Sequence, residues 1–249
     1  MAVSAKGRDD RMKQNKRLVA FLLCVAVGFH FVSILRLPEA FYQHSFFVGL
    51  SRNYDFSVQV MGLYWLFILG PLAFMLFYES GSMEDILYGY GKLMIIRRYS
   101  KTKLLLRVEG KLLLETLAFV AVQGGLSLLL GGKLEPVEQG LFPALVMFFL
   151  MTFLLLQLQL YLEFFFPSNV VTLGILAYLF SSCYMAQGLQ LWQRAPGALF
   201  LLFPALLYGE QNGATHGEAI FPAALVFAVV ANGILFFASK RRFSKIDIF

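Results

Sequence analysis

Residues 79–111 read ESGSMEDILYGYGKLMIIRRYSKTKLLLRVEGK and form a long charged segment between two apolar runs that are each long enough to cross a bilayer. A basic segment in this position is typical of a cytoplasmic loop, because the cytoplasmic loops of membrane proteins carry an excess of Lys and Arg. Its seven basic residues are Lys92, Arg97, Arg98, Lys101, Lys103, Arg107 and Lys111.

The beginning of this loop has the features of a short helix. Ser82 lies where an N-cap residue would lie, and Glu84 and Asp85 place negative charge in the first turn. Apolar residues then recur at helical spacing: Met83, Ile86, Leu87, Tyr90 and Met94. The pattern predicts an amphipathic helix along the membrane face, able to dock onto a soluble partner. The basic residues that follow are predicted to lie at anionic lipid headgroups. On charge alone, an ordinary cytoplasmic loop explains the segment better, and it is the capped helix and the position of the loop between two spans that favour a docking helix.

The composition excludes an ordinary soluble domain. The chain has 249 residues, of which 59% are hydrophobic and 14% charged, with a mean hydropathy of +0.69. A soluble domain of this size needs far more charge to cover its surface. We therefore predict an all-α membrane protein with one transmembrane domain, residues 1–249. Cys24 and Cys183 lie in apolar runs, so no disulfide framework is predicted.

Six apolar runs are long enough to be membrane spans. One further apolar stretch, Ala195–Tyr208, is interrupted by Pro204 and is shorter than the ~20 residues that a spanning helix needs. It predicts a re-entrant outer hairpin before the sixth span. The predicted spans are 18–37, 56–78, 112–130, 141–163, 170–188 and 218–239.

The distribution of basic residues orients these spans. Segments 1–17, 79–111 and 240–249 hold six, seven and four of the 21 Lys and Arg residues. Six spans with both termini in the cytoplasm place all three segments inside, as the positive-inside rule requires. The net charge of +6 is thus explained by topology, and no nucleic acid is predicted as a partner.

The sequence contains no convincing catalytic or metal-binding motif. It lacks a phosphate-binding G-x-x-x-x-G-K-[ST] loop, an H-E-x-x-H zinc motif and a cysteine pair at metal-ligand spacing. Ser181 and Ser182 could be nucleophiles only if His30 lay at a matching depth, which is a weak basis for an intramembrane enzyme. No catalytic residue, metal or bound cofactor is predicted for this chain.

Glu115 and Glu163 are acidic residues within the predicted spans, and both lie near a cytoplasmic end. Ionisable residues inside a membrane are costly and are often functional. Glu115 is four residues after Lys111, so an ion pair between them is favoured over a proton relay. No internal inverted repeat of the kind found in many secondary carriers is evident. We therefore expect the chain to receive energy from a partner, through the charged loop.

Two segments give the chain a resemblance to a known family: GKLMIIRRYSKTKLLLRVEGK at residues 91–111 and KRRFSKIDIF at residues 240–249. Together with the six-span topology, they resemble the membrane subunits of bacterial type 2 ATP-binding-cassette (ABC) exporters. The subgroup most similar to this chain exports antimicrobial or cytolytic peptides or gives immunity to them. The residues that match its basic stretch and the early acid of the third span are Ile96, Arg98, Tyr99, Lys101, Lys103 and Glu115.

The resemblance implies a permease subunit without its own nucleotide-binding domain. It would pair with an identical or sister permease in the bacterial cytoplasmic membrane and bind separate ABC ATPase subunits, which hold ATP and Mg²⁺. ATP-driven motion would pass through a coupling helix to the second and third spans and export an amphipathic or hydrophobic substrate such as a peptide. The implied coupling residues are Met83, Glu84, Asp85, Ile86, Leu87, Tyr88 and Tyr90. The implied cytoplasmic basic run is Arg97, Arg98, Lys101, Lys103 and Arg107, and the implied outer gate is Phe200, Phe203 and Pro204.

Two other functions remain open at this point. The chain could be a stand-alone ion-coupled carrier, or a membrane-embedded enzyme acting on lipid-like substrates, with Glu115 or His30 as the sensitive residue. It could also be an assembly or sensor subunit whose loop binds a partner although no substrate moves. An adjacent reading frame encoding an ATPase would favour the exporter.

Overall fold

Long apolar helices make up most of the structure. The computed structural model describes residues 58–88, 100–130, 141–214 and 219–246, and within these ranges all regular secondary structure is helical. The helices are α1 (Val58–Glu79), α2 (Ser82–Tyr88), α3 (Lys101–Leu130), α4 (Leu141–Leu162), α5 (Ser168–Gly188), α6 (Leu191–Arg194), two 3₁₀ helices (Pro196–Phe200 and Phe203–Leu207), α7 (Gly209–Asn212) and α8 (Ile220–Lys245).

Three of these helices are long and apolar enough to cross a membrane, within the part of the chain that the structure describes. They are Phe142–Leu162, Ser168–Gly188 and Ile220–Lys245, and they coincide with the last three predicted spans. A helix of this length rises about 30 Å, which is the thickness of the hydrocarbon core. The prediction of an all-helical fold is therefore confirmed over the described residues, and three of the predicted spans are helices long and apolar enough to cross a membrane. The number of spans and the side of each terminus stay predictions.

The predicted first span, residues 18–37, lies outside the described residues, as do Tyr90, Arg97 and Arg98. The predicted second and third spans correspond to α1 and α3. All described helices belong to one structural unit, residues 44–249.

Helix α3 is longer than the predicted span because it begins at Lys101 instead of Leu112. Leu104, Leu105 and Leu112 recur on one face and are buried, while Arg107 and Lys111 between them are exposed. Thirty residues rise about 45 Å, so α3 exceeds the hydrocarbon thickness by several turns. A charged amphipathic helix thus continues directly into an apolar one.

Helix α4 is the central helix of the described part, where it contacts α1, α3, α5, α8 and the second 3₁₀ helix. Its inward face carries Met147, Phe148 and Met151, which are fully buried. Phe142, near its first turn, is 73% exposed. Helix α8 differs, because little of its apolar length is buried inside the protein.

The stretch predicted as a hairpin, Ala195–Tyr208, forms two short 3₁₀ helices in place of one long helix. Pro196 and Pro204 each lie at the start of one of them. Proline suits the first turn of a helix but interrupts a continuous one. The second 3₁₀ helix is buried and contacts α4 and α5.

A row of aromatic side chains crosses the middle of the bundle. Trp65 of α1 lies 5.3 Å from Tyr208, Tyr208 lies 6.0 Å from Phe148, and Phe148 lies 6.4 Å from Phe119 of α3, measured between ring centroids. All four side chains are fully buried. The row joins α1, α3, α4 and the end of the second 3₁₀ helix.

Candidate functional site

The apolar face of α2 packs into the protein itself. Met83, Ile86 and Leu87 are buried in one hydrophobic cluster with side chains from α3, α4 and α8. We call these partners the α2 seat: Leu104, Leu105, Leu160 and Phe243. The predicted helix is therefore present, and its apolar stripe faces inward.

The exposed face of α2 carries Glu84, whose side chain is open to solvent. A soluble partner would meet this face, because the opposite face is occupied by the α2 seat. The side chains of Asp85 and Tyr88 lie outside the described residues, as does Tyr90. The coupling role of all seven residues stays a prediction.

Glu163 holds the beginning of α2. This residue directly follows α4, and its Oε1 accepts a hydrogen bond of 3.0 Å from the Gly81 N–H, while its Oε2 accepts one of 3.1 Å from the Met83 N–H. The first N–H groups of a helix have no partner within the helix and need an acceptor. A carboxylate near a helix N-terminus also interacts favourably with the helix dipole. Glu163 thus caps α2 from another helix.

Two opposing effects act on the pKa of the Glu163 carboxyl group. Burial raises its pKa, while the hydrogen bonds donated by the Gly81 and Met83 N–H groups act in the opposite direction. These donors favour the ionised form, in which both oxygens accept. Only 7% of the residue is exposed.

Further hydrogen bonds join the start of α2 to α5. Ser168 Oγ donates to Glu84 Oε2 at 2.9 Å, and Thr172 Oγ1 lies 2.8 Å from Ser80 Oγ. Gln159 Nε2, on α4, donates to the Leu76 carbonyl at 2.9 Å. The turn between α1 and α2 is therefore attached to both α4 and α5.

Gly81 makes this turn possible. Its φ is +83°, a left-handed conformation that costs other residues about 1–2 kcal/mol. We expect Gly81→Ala to destabilise the protein by about this amount. The added Cβ would lie 3.8 Å from Ser168 Oγ, which is an ordinary van der Waals distance, so the cost comes from backbone strain and not from a clash. Thermal unfolding in detergent measures the change.

Gly110→Ala is the matched control, since Gly110 is exposed on α3 and a Cβ there meets nothing within 4 Å. Alanine in a helix is more stable than glycine by up to about 1 kcal/mol, so this variant should be as stable as the wild type or more stable. Equal stability of Gly81→Ala and the wild type would contradict the assigned role of the turn.

Lys111 links α1 to α3 beside this site. Its Nζ lies 3.3 Å from Glu115 Oε2 and 3.5 Å from Glu79 Oε1. The predicted pair between Lys111 and Glu115 is confirmed, and Glu79 is a partner that sequence reasoning missed. Tyr78 Oη also donates to Glu115 Oε1 at 3.4 Å.

The described residues of the predicted basic run have different environments. Lys101 Nζ donates to the Ile246 carbonyl at 2.7 Å and lies 3.5 Å from the Ser244 carbonyl. A cation at a helix C-terminus satisfies its last carbonyls and its dipole, so Lys101 caps α8. Lys103 and Arg107 are exposed and can meet lipid headgroups.

The residues predicted to form an outer gate lie between α5 and α8. Phe200 lies 5.4 Å from Phe227 of α8, and Phe203 lies 5.6 Å from Tyr178 of α5 and 6.3 Å from Phe227. Pro204 is buried. These rings bridge the two helices, and opening at this end of the bundle would require them to separate.

One buried polar pair contains a glutamate that sequence reasoning missed. Gln157 Nε2 of α4 donates to Glu109 Oε2 of α3 at 3.0 Å, and both side chains are buried. Burial raises the pKa of Glu109, which precedes the predicted third span, and the hydrogen bond from Gln157 opposes that effect. A glutamate on the buried face of an otherwise apolar helical stripe is the signal that could have identified it. Among the described residues, no group of three or more His, Cys, Asp or Glu side chains could hold a metal ion.

Comparison with known proteins gives a family without a stated activity. No curated protein and no solved structure matches the chain. A family model described as "Protein of unknown function (DUF2705)" matches residues 19–249, which is most of the chain. The chain therefore belongs to the DUF2705 family.

Proposed function

We propose that this chain is the permease subunit of an ABC-type exporter that moves an amphipathic or hydrophobic substrate, such as a peptide, out of the cell. The ATPase subunits are separate chains that bind ATP and Mg²⁺, and a second permease subunit completes the membrane part. The observation that carries this proposal is the short helix α2. It lies between two long helices, Glu163 caps it, and its exposed face carries Glu84.

In this proposal α2 is the coupling helix. A displacement of α2 by the ATPase is transmitted to α4 through the hydrogen bonds with Glu163. It is transmitted to α3 and α8 through the α2 seat. The sequence led us to expect a route through the second and third spans alone. The contacts of α2 favour a wider route that also includes the helices matching the fourth and sixth predicted spans.

The remaining features belong to the same proposal. The chain crosses the bacterial cytoplasmic membrane six times with both termini inside, and its basic residues interact with anionic lipids. The aromatic contacts of Phe200 and Phe203 with α5 and α8 form an outer gate that opens during export. The apolar interior of the described bundle suits a hydrophobic or amphipathic substrate better than a sugar.

A pull-down of the tagged chain in mild detergent from its native host tests the partner. We expect an ABC ATPase to be recovered in near-equal amount. Recovery of the chain alone would contradict the proposal.

Charge reversal at Glu84 tests the docking face. We expect Glu84→Lys to lower the permease-dependent ATP hydrolysis of the reconstituted complex by about tenfold. The introduced lysine would repel a partner surface whose charge complements Glu84. Hydrolysis and export are measured in proteoliposomes.

The matched control is charge reversal at Lys245, which is exposed at the last residue of α8 and lies outside α2. Lys245→Glu should retain most of the hydrolysis. Wild-type hydrolysis and export by Glu84→Lys would contradict the coupling role of α2.

An ion-coupled carrier is the second candidate, and one observation favours it: the buried carboxyl group of Glu109 between α3 and α4. A carrier would transport in proteoliposomes that contain the chain alone, driven by an ion gradient without ATP. An exporter permease would require the ATPase and ATP.

A further inference from the structure

A buried polar cluster connects α3, α4 and α8. Gln157 donates one hydrogen bond to Glu109, and the two residues are 3% and 5% exposed. The other carboxyl oxygen, Glu109 Oε1, is buried and has no hydrogen-bond partner in the described part of the chain, and the same is true of Gln157 Oε1. Buried polar atoms are nearly always hydrogen-bonded, so two such oxygens in one pair require an explanation.

Ser239 of α8 lies at the level of this pair. Asn232 Nδ2 donates to the Leu150 carbonyl at 3.1 Å, which fixes the register of α8 against α4. The two helices run in the same direction, because further along both of them Phe164 and Phe243 are again in contact, at 6.0 Å. Gln157 and Ser239 each lie seven residues, or about two turns, beyond the Asn232 contact.

Ser239 is 1% exposed, and its Oγ also has no hydrogen-bond partner among the described residues. Helix α3, which carries Glu109, contacts α8 as well as α4. Among the described residues, three buried oxygens without hydrogen-bond partners therefore come from three contacting helices at one level of the bundle, and Ser239 supplies no hydrogen bond to Glu109 or Gln157.

The chemistry of these groups depends on the charge of Glu109. An ionised carboxylate here would have a single hydrogen bond, and burying a charge without adequate partners costs several kcal/mol. A proton on Oε1 removes the charge and makes this oxygen a donor. Gln157 Oε1, on the amide group that already donates to Glu109 Oε2, is an acceptor that such a donor could use.

Within the part of the chain that the structure describes, no basic side chain that would stabilise the ionised form is buried beside this cluster. Along the three helices the nearest basic residues are Arg107 and Lys111 on α3 and Lys240 on α8, and all three are exposed. Glu163, the acidic residue that follows α4, already accepts hydrogen bonds from the N–H groups of Gly81 and Met83.

We propose that Glu109 and Gln157 form a proton-binding site, in which Glu109 carries a proton while α3, α4 and α8 are packed together. Separation of these helices admits water, which stabilises the carboxylate and releases the proton. The site does not depend on the exporter proposal, because it requires no partner chain.

The sign of the pH dependence follows. The pKa of Glu109 is higher in the packed bundle than in an opened one, so protons favour packing. The contribution of this site to packing is present at low pH and is lost as the pH rises through the pKa of Glu109 in the packed state.

Infrared difference spectroscopy of the full chain in lipid nanodiscs tests the proposal. We expect a carboxylic acid C=O band at neutral pH that is lost in Glu109→Gln. Gln157→Leu should move its titration to higher pH, because the hydrogen bond from Gln157 favours the carboxylate.

Glu84→Gln is the matched control, since Glu84 is exposed and its removal should leave the acid band unchanged. Absence of a Glu109-dependent acid band at neutral pH would overturn the proposal. Loss of the band on adding sodium chloride, but not choline chloride, would also overturn it and assign the oxygens to Na⁺. If Glu109→Gln does not fold, an acid band with the same pH titration and frequency in Gln157→Leu and the wild type decides against the site.

Discussion

Replacing Glu163 with alanine is expected to release α2 from the end of α4. The substitution leaves the Gly81 and Met83 N–H groups without their acceptor, and the second of these bonds is buried. An unsatisfied buried donor costs about 1–3 kcal/mol, so we expect a loss of roughly 2–5 kcal/mol in the stability of the α2 region. Hydrogen–deuterium exchange at residues 81–88 measures this loss as faster exchange.

Two variants separate the capping role of Glu163 from its charge. Glu163→Gln keeps one acceptor oxygen and should give an intermediate exchange rate. Glu84→Gln changes an exposed carboxylate on α2 and should exchange like the wild type. Unchanged exchange in Glu163→Ala would contradict the capping role. If the exporter proposal is also correct, Glu163→Ala should hydrolyse ATP without export.

Replacing Phe148 with alanine is expected to be the most destabilising change in the middle of the bundle. Phe148 is fully buried and contacts the rings of Phe119 and Tyr208. Phe→Ala substitutions in protein cores cost about 3–5 kcal/mol. We expect a loss of stability at the lower end of this range, roughly 3 kcal/mol. Lipid is as apolar as the core, so little hydrophobic transfer energy is lost and the lost packing supplies most of the effect. The melting temperature in detergent should fall accordingly.

Phe142→Ala provides the control on the same helix. Phe142 is 73% exposed, so its removal leaves no internal cavity and should change the melting temperature little. Similar melting temperatures for the two variants would mean that the aromatic row does not stabilise the bundle.

The comparison of Phe142 with Phe148 also shows where sequence reasoning ends. Both residues lie in one apolar helix, and hydropathy treats them alike. Which of them faces lipid depends on the position of α4 among its neighbours, and a single apolar helix does not encode that position. Apolar length was sufficient to predict α4, α5 and α8, because a bilayer requires helices of that length.

The charged loop was predicted only in part, because local sequence signals indicate a helix but not its distant partners. Local signals, the Ser82 cap position and the spacing of Met83 and Ile86, were enough to predict α2. The acceptor at its N-terminus was not predictable, because Glu163 is 80 residues distant from Met83 along the chain. Lys101 was expected at lipid headgroups, but its amine is occupied by carbonyl groups at the end of α8. Such pairings arise only when helices distant in sequence meet.

The α2 seat has a consequence for biosynthesis. Two of its side chains come from α3 and one from α4, but Phe243 comes from α8, which the ribosome makes long after α2. Until α8 is inserted, Met83, Ile86 and Leu87 lack part of their cover and remain a hydrophobic surface that chaperones and proteases can recognise. Insertion of α8 therefore completes the cover of these three side chains. We expect chains whose translation stops before α8 to be degraded faster than the full chain, which pulse-chase labelling measures.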